Sequence, residues 1–266
     1  MNDPRDSFDL TGRVAVITGA GSGIGAASAR MLAGVGATVV CADVNLERAA
    51  ETADKILADG GKATSVGCDA SSRADVEDLV LGAVGAHGRL DVMGNIAGII
   101  HESSVVDTDE ADLDRVLATN LKGVFFGCQS AARVMIEQGS GSIINMSSGA
   151  IDTPAPGIVC YAMAKAAVAQ LTKTLAAEVG PSGVRVNAIA PGLVVTGMTS
   201  RHFTRPDGSI DEQAKAAFIT PMAERATLGR VGEPDDIAYA VLYLACDASS
   251  FMTGQMLRPN GGVAMP

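Results

Sequence analysis

The chain has few aromatic side chains and no tryptophan. Phe, Trp and Tyr make up 3% of its 266 residues, whereas the hydrophobic share is 47% and glycine alone accounts for 31 residues. Such a chain must build its core from aliphatic side chains and close backbone packing, as Gly- and Ala-containing helices do on a sheet. Its length suits one large α/β domain with a substantial core.

Basic charge is also scarce. The 20 Lys and Arg residues are outnumbered by 30 Asp and Glu residues, and the formal net charge is −10 at pH 7. A nucleic-acid partner is not expected, because phosphate binding needs a concentration of Lys and Arg. The sequence has no run of about 18 apolar residues, as a membrane helix requires. Residues 1–10 lack the apolar core of a signal peptide, so we expect a cytoplasmic protein with no membrane partner.

Cysteine and histidine are few and scattered. None of the five cysteines is paired as Cys-x-x-Cys, and none of the three histidines lies at ligand spacing from a cysteine. The pattern is typical of reduced thiols in a cytosolic enzyme. It predicts that the protein has no metal site, because a zinc-dependent alcohol dehydrogenase would need clustered Cys and His ligands.

Short β-branched segments alternate with longer Ala- and Leu-rich amphipathic segments. This alternation is typical of βαβ units and a parallel sheet. We expect a single α/β domain with a doubly wound parallel sheet of seven strands. Single long helices are predicted over residues 111–138 and 160–179. Residues 193–229 lack clear periodicity and are too long for an ordinary connection, which predicts a functional loop or lid.

A glycine-rich turn follows the first predicted strand and opens the first predicted helix. In this position Gly19 allows a tight turn, Gly23 lets the backbone approach a pyrophosphate, and Gly25 lets the helix pack closely on the strand. Ser22 and Ile24 complete the turn. The helix N-terminus presents free N–H groups to phosphate charge, so the turn predicts a dinucleotide site.

Two aspartates end the next two predicted strands. At the end of the second strand, the carboxylate of Asp43 can accept hydrogen bonds from the adenosine ribose and repel a 2′-phosphate. The turn residues Ser22 and Val44 are neutral, whereas NADP favours a basic residue there. The predicted cofactor is therefore NAD, although a surface aspartate that only ends a strand is the alternative. Asp69 and its neighbour Ala70 are candidate adenine contacts, yet such aspartates also cap turns and helices.

Three downstream side chains can move a proton on and off a carbonyl oxygen. A tyrosine hydroxyl titrates near pH 10 in water, which is too high for a base at neutral pH. Lys165 lies one helical turn after Tyr161, so its charge should favour the phenolate. Tyr161 is then a general acid in reduction and a general base in oxidation. Ser148, at the carboxyl end of a strand, would hold the substrate oxygen.

These segments together resemble the classical short-chain dehydrogenase/reductase family over nearly the whole chain. The family usually has a second asparagine where this chain has Ile96, and we expect only a local packing change there. The matching motifs are the glycine turn, Asn95-x-Ala97-Gly98, Asn120 in Thr-Asn-Leu-Lys-Gly, Ser148 in Asn-Met-Ser-Ser, Tyr161-x3-Lys165, Pro191-Gly192-x3-Thr196 and the Gly254-Gln255…Gly261-Gly262 ending.

The resemblance implies a Rossmann fold with the strand order 3-2-1-4-5-6-7, and it implies further roles for individual residues. Asn120 would hold a water that links Lys165 to solvent as a proton relay, although a helix kink or a buried hydrogen bond is an alternative role for an asparagine in mid-helix. Lys165 would also bind the nicotinamide ribose, and Thr196 the carboxamide. The other residues that the resemblance places around the cofactor are Asn95, Ala97, Gly98, Pro191, Gly192 and Val194.

The expected function is NAD-dependent hydride transfer between a secondary alcohol and a ketone, both small molecules. A 3-oxoacyl-thioester (acyl carrier protein) reductase is the alternative enzyme, and Asp43 argues against it because such enzymes usually take NADPH. A non-catalytic NAD-binding regulator is disfavoured because the proton-transfer residues are intact. The resemblance also implies a homotetramer that pairs helices 111–138 and 160–179 across a two-fold axis.

Overall fold

Seven parallel strands form one sheet in the computed structural model, which describes residues 3–266. The strands in chain order are β1 (Val14–Thr18), β2 (Thr38–Asp43), β3 (Lys62–Gly67), β4 (Val92–Asn95), β5 (Gly141–Met146), β6 (Val184–Ile189) and β7 (Met256–Leu257). They pair side by side as β3-β2-β1-β4-β5-β6-β7, and every pairing is parallel. The predicted fold class and strand order are confirmed.

Helices cover both faces of the sheet. They are α1 (Gly23–Gly34), α2 (Leu46–Ala58), α3 (Arg73–His87), α4 (Glu110–Leu117), α5 (Gly123–Gln138), α6 (Val159–Val179), α7 (Gly197–Ser200), α8 (Glu212–Arg225) and α9 (Pro234–Ala245). Helices α1, α2 and α9 pack on one face, and α3, α5 and α6 pack on the other. Within residues 3–266, no helix has both the length and the hydropathy that crossing a membrane requires.

The core consists of one hydrophobic layer on each face of the sheet. In β1, Ala15 and Ile17 belong to the layer beneath α1 and α9, whereas Val16 belongs to the layer beneath α3 and α5. Successive strand residues point to opposite faces, and all five residues of β1 are buried. A strand buried on both faces reads as a continuous apolar run, as this one does.

The single helix predicted over residues 111–138 is wrong. Helices α4 and α5 are separated by a π-helical turn, Ala118–Lys122. Asn120 lies in this turn, and its amide group bonds both backbone groups of Ile99: Nδ2 donates to the carbonyl at 2.7 Å, and Oδ1 accepts from the N–H at 2.8 Å. A π turn fits an extra residue into a helix and recurs at functional sites. Here it carries Asn120 into the interior.

Residues 193–229 are more regular than the sequence predicts, because they contain α7 and α8. Helix α8 has no buried residue and contains Pro221, so it lacks the apolar stripe that reveals a helix in a sequence. It is attached through Phe218, whose ring lies 6.0 Å from that of the buried Phe203. The same ring stacks on His202 at 4.7 Å.

Candidate active site

The predicted site residues lie at or beyond the carboxyl ends of strands β1 to β6. Parallel strands end at one edge of a sheet, so these segments gather there. The chain runs outward from β1 in both directions, to β2 on one side and to β4 on the other. Doubly wound sheets bind ligands at such a switch point.

The glycine turn fits closely against its neighbours. A Cβ on Gly25 would lie 2.0 Å from the carbonyl oxygen of Gly19. Gly19 itself has φ +71°, and a Cβ there would lie 2.9 Å from the backbone of Ala97. Ser22 precedes α1 without a side-chain cap bond, so the first N–H groups of α1 are not satisfied by that side chain. The turn fits the pyrophosphate of a dinucleotide.

The carboxylate of Asp43 is oriented by two backbone donors. One oxygen accepts from the N–H of Gly21 at 3.0 Å and the other from the N–H of Asn45 at 2.9 Å. A Cβ on Gly21 would lie 2.8 Å from Oδ2 of Asp43, so only glycine allows this approach. Sequence reasoning assigned no role to Gly21; its only signal was a further glycine inside the turn. Beside this pair, Val44 is exposed.

The other strand-end aspartate makes local contacts. Oδ1 of Asp69 accepts hydrogen bonds from the N–H and the hydroxyl of Ser71, at 2.8 and 2.7 Å. The carbonyl oxygen of the next residue, Ala70, lies 2.6 Å from where a Cβ of Gly123 would be. Asp69 is exposed and caps a turn, and its contact with adenine stays a prediction.

The Asn95 side chain points into the protein interior. Its Nδ2 donates to Oδ1 of Asn145 at 2.9 Å, and the residue is 2% exposed. The backbone that follows is held by Thr18, whose hydroxyl accepts from the N–H groups of Ile96 and Ala97 at 3.1 and 3.2 Å. Ile96 joins the hydrophobic core, which is the local packing role expected for this departure from the family pattern.

Ser148 and Tyr161 are brought together because the 3-10 turn that Ser148 begins packs on α6, and the Ser148 hydroxyl lowers the pKa of Tyr161. Ser148 follows β5 and begins a 3-10 turn, in which its Oγ accepts from the N–H of Ala150 at 3.1 Å. Tyr161 lies in the first turn of α6 and is partly buried. The next residue after Ser148, Gly149, donates its N–H to the carbonyl of Pro191 at 2.8 Å, which joins this segment to the loop after β6.

Lys165 is buried, with 2% of its surface exposed. Its Nζ donates to the carbonyl of Met146 at 2.8 Å and lies 5.5 Å from the centroid of the Tyr161 ring. A Cβ on Gly98 would lie 3.6 Å from this Nζ and 3.2 Å from Oδ1 of Asn120. The structure therefore brings the four predicted catalytic residues into one cluster.

Burial has opposite effects on the two titratable groups of the cluster. It lowers the pKa of Lys165 to about 8 and raises the pKa of Tyr161, because it disfavours the charged form of each. The hydrogen bond with Ser148 acts against burial and lowers the pKa of Tyr161. Desolvation is the larger of these two effects on Tyr161, so its pKa lies above the usual value for a phenol.

The loop after β6 reaches the glycine turn. A Cβ on Gly23 would lie 3.2 Å from Cβ of Thr196, which places the predicted carboxamide ligand beside the predicted pyrophosphate site. Val194 is buried and forms a bridge with Gly232. A Cβ on Gly192 would lie 2.8 Å from Cα of Asn260, so the segment after β7 closes the outer side of this loop.

The loop after β4 contacts residues 193–229, which sequence reasoning did not foresee. Glu102 forms an ion pair with Arg201 and lies 3.2 Å from Nε2 of His202. No feature of the local sequence pairs these distant residues. Over residues 3–266 no three His, Cys, Asp or Glu side chains are grouped as a metal site would require. Catalysis without a metal stays a prediction.

Comparisons with known proteins agree with this geometry. A family model described as enoyl-(acyl carrier protein) reductase matches residues 19–264. The chain is 37% identical to a 3-oxoacyl-[acyl-carrier-protein] reductase of Thermotoga maritima, over 96% of this chain and 99% of that one. It is also 38% identical to a 4-formylbenzenesulfonate dehydrogenase of Comamonas testosteroni, over 96% of this chain and 99% of that one. A solved short-chain type dehydrogenase/reductase from Mycobacterium marinum superposes with a TM-score of 0.89 at 34% identity, over 98% of this chain and 99% of that chain.

The chain belongs to the classical short-chain dehydrogenase/reductase family and is an oxidoreductase of that family. Family members typically bind a nicotinamide cofactor. The names of the two relatives above give different substrates, a 3-oxoacyl-[acyl-carrier-protein] and 4-formylbenzenesulfonate. The family therefore defines the class of reaction and leaves the substrate open.

Proposed function

We propose that the protein is an NAD-dependent oxidoreductase that interconverts a secondary alcohol and a ketone. The observation that carries the proposal is the cluster of Ser148, Tyr161 and Lys165 at the same sheet edge as the glycine turn. A nucleotide-binding fold alone supports many chemistries. A regulator that only binds NAD would need no proton-transfer residues beside the cofactor site.

Each residue of the cluster has a separate task in the proposed reaction. Bound NAD would accept the hydride in alcohol oxidation, and its reduced form would give the hydride in ketone reduction. During reduction the hydroxyl of Tyr161 donates a proton to the carbonyl oxygen, which Ser148 holds by a hydrogen bond. Lys165 carries positive charge below its pKa of about 8 and stabilises the phenolate that is left. Asn120 is fixed by its two bonds to Ile99, and the family resemblance assigns it the water that would link Lys165 to solvent.

The preference for NAD over NADP rests on Asp43. Its carboxylate is directed at the glycine turn by the N–H groups of Gly21 and Asn45. A 2′-phosphate placed there would meet a fixed negative charge, whereas ribose hydroxyls would meet two hydrogen-bond acceptors. Neither Ser22 nor Val44 supplies a compensating positive charge.

Cofactor binding tests this assignment directly. The dissociation constants of NADH and NADPH, measured by fluorescence, should differ by at least about tenfold in favour of NADH. Asp43→Ala should narrow the difference mainly by admitting NADPH. Asp69→Ala is the matched control at the next strand end, and it should affect both cofactors alike because the adenine is common to them. Equal binding of NADH and NADPH by the wild type would contradict the preference.

An acyl-thioester reductase is the second candidate, and the relative from Thermotoga maritima favours it. The two functions differ in substrate and in expected cofactor. Turnover should be followed by NADH and NADPH absorbance with acetoacetyl-coenzyme A and with cyclic, steroidal and sugar alcohols or ketones. If acetoacetyl-coenzyme A is reduced with NADPH and not with NADH, the second candidate replaces the proposed function. Absence of turnover in the presence of tight NADH binding would favour a regulator.

We propose that residues 193–229 form the substrate lid. They lie over the same edge of the sheet through the contact of Thr196 with the glycine turn. Buried Phe203 and its neighbour Phe218 give the segment an apolar interior, while Glu102 holds it to the loop after β4. Substrate choice would then depend on this segment and not on the proton-transfer residues.

A further inference from the structure

A bidentate ion pair lies at the end of the 3-10 turn that Ser148 begins. The Asp152 carboxylate accepts from Nε of Arg258 at 2.8 Å and from Nη2 at 3.2 Å. The Asp152 side chain is 6% exposed, and that of Arg258 is 32% exposed. Asp152 belongs to the loop after β5, whereas Arg258 directly follows β7. The pair therefore spans the end of β6, which lies between them in the sheet.

Backbone hydrogen bonds join the same three loops. The N–H of Gly149 donates to the carbonyl of Pro191 at 2.8 Å, and the N–H of Gly192 donates to the carbonyl of Pro259 at 3.2 Å. These bonds run from the β5 loop to the β6 loop and from there to the β7 loop. The Asp152–Arg258 pair joins the β5 loop directly to the β7 loop, so each of the three loops is bonded to the other two.

Hydrogen bonds within the 3-10 turn connect Asp152 to Ser148. The N–H of Ile151 donates to the carbonyl of Ser148 at 3.3 Å, and the N–H of Asp152 donates to the carbonyl of Gly149 at 3.1 Å. Oγ of Ser148 is held at 3.1 Å from the N–H of Ala150 in the same turn. Movement of Asp152 would therefore displace the turn on which the serine hydroxyl depends.

We propose that Asp152 and Arg258 are positioning residues that hold the Ser148 hydroxyl in its place beside Tyr161. A paired guanidinium and carboxylate restrict both distance and direction. The inference rests on the proposed function, since it takes Ser148 as the group that holds the substrate oxygen.

The alternative is that Asp152 and Arg258 form an ordinary surface ion pair with no positioning role. The chain contains a surface pair with which they can be compared. Arg13 pairs with Asp247 at 2.6 Å, and the two side chains are 34% and 60% exposed. Arg13 is as exposed as Arg258, but its partner lies in solvent and the pair is at the start of β1, at the opposite edge of the sheet. Exposed ion pairs of this kind contribute little to the stability of a fold. Arg13→Gln is therefore the matched control for Arg258→Gln.

The test compares Arg258→Gln, Arg258→Lys and Arg13→Gln with the wild type. Three quantities are measured: kcat and KM with NADH and either acetoacetyl-coenzyme A or cyclohexanone, the dissociation constant of NADH, and backbone amide exchange over residues 148–152. Arg258→Gln should lower kcat by about ten- to a hundredfold, as displacement of a substrate-orienting group does, and should leave NADH binding within about twofold. Exchange over residues 148–152 should accelerate. Arg258→Lys should recover part of kcat, and Arg13→Gln should match the wild type.

The pH profile separates positioning from a general structural effect. Because the Ser148 hydroxyl lowers the pKa of Tyr161, its displacement in Arg258→Gln should move the rising limb of alcohol oxidation to higher pH. Lys165, whose charged amine lies near the Tyr161 ring, is unchanged in this variant. If Arg258→Gln does not fold, Asp152→Asn takes its place, since it leaves no unpaired carboxylate in the interior.

The proposal is overturned if the folded variant keeps both wild-type kcat and wild-type exchange over residues 148–152. Failure of the proposed function would look different, because the wild type itself would then turn over none of the probes. In that case amide exchange still decides whether the pair restrains the turn: accelerated exchange confined to residues 148–152 supports it, and unchanged exchange overturns it.

Discussion

At the scale of single residues, burial shifts the pKa values of Tyr161 and Lys165 in opposite directions. Removal from water raises the pKa of the phenol and lowers the pKa of the amine to about 8, since both shifts favour a neutral group. At pH 7 the tyrosine keeps its proton and the lysine keeps its charge, as both would in water, but the lysine now titrates close to neutral pH. This combination suits a proton donor for ketone reduction.

Tyr161→Phe removes only the transferable proton. We expect kcat to fall by about 10²–10⁴-fold, the usual contribution of general acid–base catalysis, while the dissociation constant of NADH stays within about twofold of the wild type. Tyr239→Phe is the control, because Tyr239 is 65% exposed on α9. A Tyr161→Phe enzyme with about a tenth of wild-type activity would be incompatible with the mechanism.

Burial of Lys165 should also make stability depend on pH. Its pKa is about 8 in the folded chain and about 10.4 in an unfolded one. Below about pH 8 the lysine is protonated in both the folded and the unfolded chain, so its burial lowers the free energy of unfolding by a constant amount. Between the two values the unfolded chain binds more protons, so the free energy of unfolding rises with pH.

Urea unfolding of wild type and Lys165→Met measures this effect. From about pH 8 to about pH 10.4 the wild type should gain about 3 kcal/mol relative to the variant, since each pKa unit corresponds to about 1.4 kcal/mol. Lys173→Met, which removes an exposed lysine from the same helix, controls for loss of a lysine from α6. A difference between wild type and Lys165→Met that is independent of pH would show that Lys165 titrates alike in both states.

At the scale of elements, the contact between β1 and α1 depends on one missing side chain. Gly25→Ala would place a Cβ 2.0 Å from the carbonyl oxygen of Gly19. The turn must then move, and we expect a loss of about 3 kcal/mol in the free energy of unfolding together with weaker NADH binding. Gly34→Ala makes the same change at the other end of α1, where nothing lies within 4 Å.

The control variant should be neutral or slightly more stable, by up to about 1 kcal/mol, because alanine reduces the freedom of the unfolded chain. Thermal or urea unfolding and NADH titration measure both variants. Equal stability of Gly25→Ala and wild type would mean that α1 and β1 can separate without cost at this turn.

At the scale of the whole molecule, the helices predicted to pair in a tetramer divide between core and surface. Val124 and Val168 are buried within the monomer, so these residues are not available to a partner. Phe125 on α5 and Met163 on α6 are 42% and 47% exposed. Apolar side chains on the outer faces of both helices support a two-fold assembly, which stays a proposal.

Light scattering should give a mass of about four chains of 26.9 kDa each. Phe125→Asp should reduce this mass, because a charge would be buried in the proposed interface. Leu57→Asp, at a 52% exposed position on α2, is the control and should leave it unchanged. Full activity at a mass of one chain would rule the tetramer out.

Much of this protein was predictable because its signals are local. The glycine turn, the Tyr-x-x-x-Lys spacing and the alternation of strands and helices depend on residues close in the sequence, and the fold class follows from them. The strand order follows from the family resemblance that these motifs carry. The π-helical turn at Asn120 could not be read in this way, because it depends on hydrogen bonds to Ile99. Helix α8 was missed because it buries no residue.

The sequence by itself determined the family, the fold and the positions of the candidate proton-transfer residues, since these are carried by spacing along the chain. Only the tertiary structure decided which groups lose their water and which distant side chains meet. The pKa shifts of Tyr161 and Lys165 require burial by the surrounding chain, and the pairing of Asp152 with Arg258 joins residues 106 positions apart. Desolvation and long-range contact are properties of packed elements, which no local pattern specifies.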